Sequence, residues 1–356
     1  MIAVNIYMND YYCVLPFYSV ETEFKDPNKN IFCCRLAPNT DITQVRNSIV
    51  NKERSPNCAT CWSLEDRGLK SERQMHNKTM DFLLDLNLDN IEAASIAKGF
   101  DPVKIKIATS NLCNGQCVTC NSTLSSAWAA LEGRSSQYKS LDFNKLGFDI
   151  KWDKVVSVSF VGGEPLLEKK NFAVLENLIA ENNTNCFISF VTNGSVALSE
   201  YQLETLSKFH NLNICLSIDG TGSAFEYMRY PLQWDRLLTN LSILKDIADV
   251  SVSCMISNLN IYYYSTFLDF FKDNNLNYLC KQVTDPAIFS PSNLPESVKD
   301  AVRTHNKKYL SEVNSFMGMA PYRPTMYAMF KQELARQHAL KGITLHDYMP
   351  EVANLL

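Results

Sequence analysis

From residue 101 onward the chain alternates two hydrophobic patterns. Short strand-like apolar runs occupy 103–108, 155–161, 186–191, 212–218, 249–256 and 277–283. Between them lie helix-length segments such as 168–181, 199–209 and 234–248. Short apolar strands separated by helices predict an α/β fold with a parallel sheet and right-handed crossovers. Six such strands fit an open doubly wound sheet or a partial barrel. In both, ligands gather at the carboxyl ends of the strands.

The ends of the chain follow other patterns. Residues 11–20 and 31–36 read as two strands joined by a turn at 26–30, and 41–52 and 64–86 read as helices. Beyond 287 comes a Pro- and Ser-rich loop, then helical patterns at 295–310 and 325–340. No internal repeat or low-complexity tract interrupts this order. The expected division is 1–95, 96–286 and 287–356.

The strand ends carry the candidate chemistry. A cysteine loop follows the first run, Gly162-Gly163-Glu164-Pro165 the second, and Thr192-Asn193-Gly194 the third. Asp219-Gly220 and Ser257-Asn258 follow the fourth and fifth. One such loop is more often a plain turn. Five on one rim predict a shared pocket.

Composition narrows the function class. The 356 residues are 46% hydrophobic and 20% charged, with a formal net charge of −4 and no basic run. That composition offers no phosphate-backbone footprint, and no nucleic-acid partner is expected. No apolar stretch reaches membrane-spanning length, and the first residues lack a signal peptide's charged and cleavage regions. The expected location is cytoplasmic. Twelve cysteines there point to metal or redox chemistry rather than disulfides. Cys186, Cys215, Cys254 and Cys280 sit singly in apolar runs and read as small core residues. The five histidines form no ligand-spaced pair, and His76 reads as a solvated helix position. The four tryptophans read as core or pocket-wall residues.

Cys113, Cys117 and Cys120 have the spacing C-x3-C-x2-C. A structural zinc site takes four protein ligands, and a [4Fe–4S] cluster usually takes four cysteines. Three close thiolates without an evident fourth suggest a cluster with one iron open to a small molecule. Buried or zinc-bound thiols are the plainer alternative.

The cysteine loop after strand one, with Gly162-Gly163-Glu164-Pro165 after strand two, resembles the radical S-adenosylmethionine (SAM) superfamily over roughly residues 101–285. The resemblance implies a partial (β/α)6 TIM-like barrel. It also implies a [4Fe–4S] cluster on the three cysteines, whose open iron chelates SAM's amino and carboxylate groups. Gly162, Gly163 and Glu164 would then face the methionyl ammonium, and Asn193, Ser217, Asp219 and Arg229 become candidate SAM contacts. Capping or fold support is the plainer role for those four. Many members carry an aromatic residue before the third cysteine, where this chain has Thr119.

The first 95 residues resemble a twitch/SPASM auxiliary-cluster module, a hairpin/helix unit placed here before the barrel. Cys13, Cys33, Cys58 and Cys61 would hold a second [4Fe–4S] cluster, and Glu65 to Arg73 matches the acidic-Gly-Ser-Arg ending of such modules. Family spacing selects Cys33 over Cys34, and a zinc ribbon is the alternative for the same thiols. The implied reaction is reductive cleavage of SAM to a 5′-deoxyadenosyl radical. That radical takes hydrogen from a peptide, protein or natural-product precursor in an oxidative modification. A flavodoxin or ferredoxin is the implied electron donor. A dehydrogenase or epimerase of a sugar-like molecule is a second expectation. A non-catalytic metal-binding scaffold is a third.

Overall fold

Strand order separates the two sheet architectures. A doubly wound sheet reverses its order at a switch point, whereas an unreversed order sends every right-handed crossover to the same side. The computed structural model describes residues 11–23, 41–68, 70–84, 102–134, 138–143 and 149–356. Its parallel strands run β1 (Ser19–Glu23), β2 (Lys104–Ala108), β3 (Ser157–Val161), β4 (Phe187–Thr192), β5 (Asn211–Ser217), β6 (Asp249–Ile256) and β7 (Asn277–Gln282), in sequence order across one sheet. The fold is therefore α/β and singly wound, with the form of a partial TIM-like barrel followed by a helical tail.

The two faces of the sheet differ as this winding requires. Along β5, Leu212, Ile214 and Leu216 are buried, while Cys215 and Ser217 are half-buried. The apolar face packs against Phe172 and Leu175 of helix Lys169–Ala180, Leu237 and Leu241 of Trp234–Lys245, and Phe267 and Phe271 of Tyr264–Asp273. Phe160 and Phe190 stack at its centre with ring centroids 4.5 Å apart. On the other face, Lys106, Ser159, Ser189 and Asn213 stand side by side in register. Small polar side chains thus line the concave side.

Local chemistry sets the helix ends. Ser199 and Gln202 form a reciprocal capping box at the start of Glu200–Ser207, and Asp41 caps Ile42–Val50. Gly342, at φ +68°, terminates helix Pro324–Lys341, which begins with proline at its first position. No helix among the described residues is long and apolar enough to cross a membrane.

The N-terminal region departs from its sequence pattern. In place of a strand over 11–20, Leu15–Tyr18 forms a helical turn around Pro16, and the strand is displaced to Ser19–Glu23. It pairs with β2 and adds a seventh strand, with Glu21 3.2 Å from Lys106. The expected strand at 31–36, its turn, Cys33 and Cys34 lie outside the described residues. The helix expected over 64–86 is two helices, Ala59–Glu65 and Glu72–Leu84, with Gly68 between them at φ +73°. His76 is not simply solvated. Its ring lies 3.3 Å from the Lys104 ammonium, and burial, aided by Lys104 and Lys106, lowers its pKa to about 4.

One ion pair ties this region together. Arg73 and Glu65 are 2.5 Å apart, with side chains 3% and 5% exposed. Arg73 also donates to the Tyr12 carbonyl at 2.6 Å and lies 4.7 Å from the centre of the Trp62 ring. Asn77 bridges the Tyr12 carbonyl and the Val14 amide. Arg73→Ala would strand the Glu65 carboxylate in the interior, at a cost of about 3–5 kcal/mol. The expected outcome is early loss of Trp62 fluorescence contrast on heating and rapid proteolysis between residues 11 and 84. Melting and proteolysis like the parent's would contradict this role for the pair.

Candidate active site

The cysteine loop runs directly out of β2 and is fastened on several sides. Ser125 Oγ donates to the Gly115 carbonyl at 2.7 Å, and Ser126 Oγ accepts from the Cys113 amide at 3.0 Å. Trp128, fully buried on helix Ser126–Leu131, donates its indole N–H to the Cys117 carbonyl at 2.9 Å. The Gln116 and Val118 amides bond the carbonyls of Tyr230 and Met228 at 2.6 and 2.9 Å. From the tail, Gln337 donates to the Val118 carbonyl at 2.9 Å. Val118 shares a core with Met228, Phe330 and Leu334, so the tail helix is packed onto the loop.

Gly162 and Gly163 are required by a backbone-to-backbone approach. The Gly163 amide bonds the Ser110 carbonyl at 2.9 Å, and the Glu164 amide bonds the Leu112 carbonyl at 2.6 Å. Gly162 has φ +122°, and a Cβ on Gly163 would stand 2.2 Å from the Leu112 carbonyl oxygen. The motif is thereby zipped to the residues just before Cys113. Glu164 is 1% exposed. One carboxylate oxygen accepts from Thr192 Oγ1 at 2.6 Å and the Leu166 amide at 3.1 Å; the other accepts from the Asn193 amide at 2.7 Å. Burial pushes its pKa up against these three bonds. Glu164 thus joins the β3 and β4 ends.

The next strand ends reach the same loop. Asn193 donates to Asn114 Oδ1 at 2.8 Å, and Asn114 donates to Ser195 Oγ at 2.8 Å. Asp219, after β5, accepts from the Met255 amide at 2.8 Å and pairs with Arg229 at 2.7 Å. The other Arg229 terminal nitrogen is 3.9 Å from Cys117 Sγ, and its Nε is buried without a hydrogen-bond partner among the described residues. Ser217 lies on the concave face beside Ser253, not bonded into this network by any contact described. The sequence pattern did not reveal Asn114, Gln337 or Lys341. A polar residue between two ligand cysteines could have marked Asn114, but the two tail residues lie more than two hundred positions from their partners and leave no local signal.

The thiols repel ionisation as they stand. Burial, reinforced by Cys117, lifts Cys113 and Cys120 to about 12, and burial also raises Cys117 against the pull of Arg229. A cationic metal centre would reverse that preference. Among the described residues no three His, Cys, Asp or Glu side chains converge closely enough to share one ion. A cluster spreads its thiolates over several irons and needs space between them. Two of the thiols face one spot, for the Sγ atoms of Cys117 and Cys113 lie 3.4 and 3.8 Å from where a Cβ on Gly115 would stand. The donor set fits a cluster.

Of the four thiols expected to hold a second cluster, three are described. Cys13 and Cys61 are buried and Cys58 is half-buried. Cys58 immediately precedes helix Ala59–Glu65 and Cys61 follows one turn later, while Cys13 and Cys58 share one small core.

No protein-family profile matches the chain. An uncharacterised protein of Methanocaldococcus jannaschii is 25% identical over 121 residues, covering 32% of this chain and 37% of that protein. Among solved structures, native anSMEcpe with bound AdoMet is similar with a TM-score of 0.43 and 19% identity, over 61% of this chain and 62% of that one. SuiB of Streptococcus suis, bound to the precursor peptide SuiA, is similar with a TM-score of 0.39 and 12% identity, over 77% and 64%. TYW1 with a lysine-pyruvate adduct gives 0.34 and 13%, over 56% and 70%. The chain spans just over a third of the curated relative and somewhat under two thirds of anSMEcpe.

Gly163→Ala tests the zipped backbone. Its methyl group cannot coexist with the Leu112 carbonyl, so the loop must shift, at a cost of about 1–3 kcal/mol. The expected result is a lower melting temperature and reduced iron uptake on reconstitution. Gly318→Ala, whose methyl would meet nothing within 4 Å, serves as the control. Equal behaviour of the two variants would contradict the proposed contact.

Proposed function

We propose that the protein is a radical SAM enzyme that oxidatively modifies a polar substrate, either a peptide or a natural-product precursor. The observation that carries this reading is the convergence on one loop of three thiols, fixed by the ends of β3, β4 and β5. Cys113, Cys117 and Cys120 would hold the cluster, and its chemistry would be one-electron reduction of the SAM sulfonium to give methionine and a 5′-deoxyadenosyl radical able to take hydrogen from substrate.

The chain's own residues prepare that reaction. Gly162 and Gly163 bring carbonyl groups to the rim where an ammonium needs acceptors. Glu164 holds β4 at the position that presents Asn193. Asp219 fixes Arg229 against Cys117, placing a cation beside the cluster ligands. The packed tail keeps water from that side of the loop. The serines and Asn213 of the concave face offer hydrogen bonds to a polar substrate. Cys13, Cys33, Cys58 and Cys61 are proposed to hold an auxiliary [4Fe–4S] cluster. In that place the auxiliary cluster would accept the electron that the substrate radical gives up after losing its hydrogen atom, which completes a two-electron oxidation, while a flavodoxin or ferredoxin would supply the separate electron that cleaves SAM.

Anaerobic reconstitution with iron and sulfide tests this. Roughly eight irons per chain and release of 5′-deoxyadenosine from SAM after reduction are expected. Cys117→Ala is expected to abolish that release. Cys61→Ala is expected to lose about four irons yet keep uncoupled SAM cleavage. Zinc at one or two per chain, with no cleavage of SAM, would point to a scaffold instead.

A further inference from the structure

We propose that Lys341 is the counter-charge of the cysteine loop, a positioning residue that raises the reduction potential of the cluster the loop holds. The inference rests on the cluster assignment above and concerns a residue of the tail helix.

Lys341 is aimed at the loop by its helix. Phe330, Leu334, Gln337 and Lys341 recur on one face of Pro324–Lys341. The first two are buried in the core shared with Val118, and Gln337 bonds the Val118 carbonyl. One turn on, the Lys341 ammonium donates to Gln337 Oε1 at 3.0 Å. It lies 4.6 Å from the centre of the Trp128 ring and 5.9 Å from that of Tyr230. Both residues also hold the loop, through the Cys117 carbonyl and the Gln116 amide.

Among the described residues no carboxylate lies within salt-bridge reach of Lys341. The neighbouring acids Glu132 and Glu333 are paired with Arg336 at 3.0 and 2.7 Å. Arg229, the other cation at the loop, is already matched by Asp219 at 2.7 Å. Burial lowers the Lys341 pKa to about 8, which leaves the ammonium mostly charged near neutral pH. A cation half-buried over two aromatic rings is screened less than one in open solvent. Reduction adds negative charge to a cluster, so such a cation favours the reduced form.

The test is a redox titration of reconstituted protein, followed by electron paramagnetic resonance of the reduced cluster. In Lys341→Met and Lys341→Gln the reduced fraction at a fixed potential should fall about tenfold, a shift of about 59 mV for one electron. Lys341→Arg should restore most of it. If both neutral variants fail to load while Lys341→Arg loads fully, the iron content itself shows that the loop needs the charge. A neutral variant with full iron content and the parent's potential would overturn the inference and leave the function reading intact. A parent protein that binds no cluster would overturn the function reading, and this inference with it.

Discussion

The rim of this sheet is organised by one close approach, that of the Gly163 backbone to the Leu112 carbonyl. With a Cβ standing 2.2 Å from that oxygen, no other residue type fits without moving the chain. The contact sets where β3 ends relative to the segment leaving β2, and hence where Cys113 begins. Glu164 follows at once and carries the same constraint to β4 through the Asn193 amide. Asn193 returns it to the cysteine loop through Asn114. The circuit closes over three strand ends, so a shift in any member is felt by the thiols.

Electrostatics explains why so many bonds converge on a loop of eight residues. The three half-buried thiols favour the protonated form, and desolvation raises their pKa values accordingly. Binding metal requires the anionic forms, and the loop cannot lower their cost by moving toward water, because serines, an indole and the tail hold its backbone in place. The favourable term must come from the metal and from nearby cations. A loop preorganised in this way loses little freedom on binding, which favours tight and geometrically defined ligation.

Much of this was legible along the chain. The six strands after residue 101 and the motifs at their ends follow from short apolar runs broken by glycine and polar turns, and these are local signals. The seventh strand was not legible. Tyr11 to Val20 reads as one extended run, yet Pro16 sits comfortably in a helical turn, and β1 forms only through pairing with residues more than eighty positions away. Winding was ambiguous for a similar reason, since six strands fit two architectures until their order is known. Asn193 and Asp219 are candidate SAM contacts by resemblance, with capping or fold support as the plainer role. The structure shows the partners they already have, and a sequence displays partners poorly.

The tail shows how far a site can extend beyond its motif. Helix Pro324–Lys341 has no stripe strong enough to declare a buried face, because Gln337 and Lys341 occupy two of the positions that face inward. Those polar residues are the informative ones. Phe330 and Leu334 supply the burial, roughly 1.5–3 kcal/mol for each side chain. A hydrophobic residue at 337 would add to it, but would leave the Val118 carbonyl without its donor. Gln337 satisfies that carbonyl and, through its other amide atom, orients Lys341. The inward face of the helix therefore sacrifices apolar area to place a hydrogen bond and a charge beside the loop. That exchange is understandable if the loop's charge changes while the protein works.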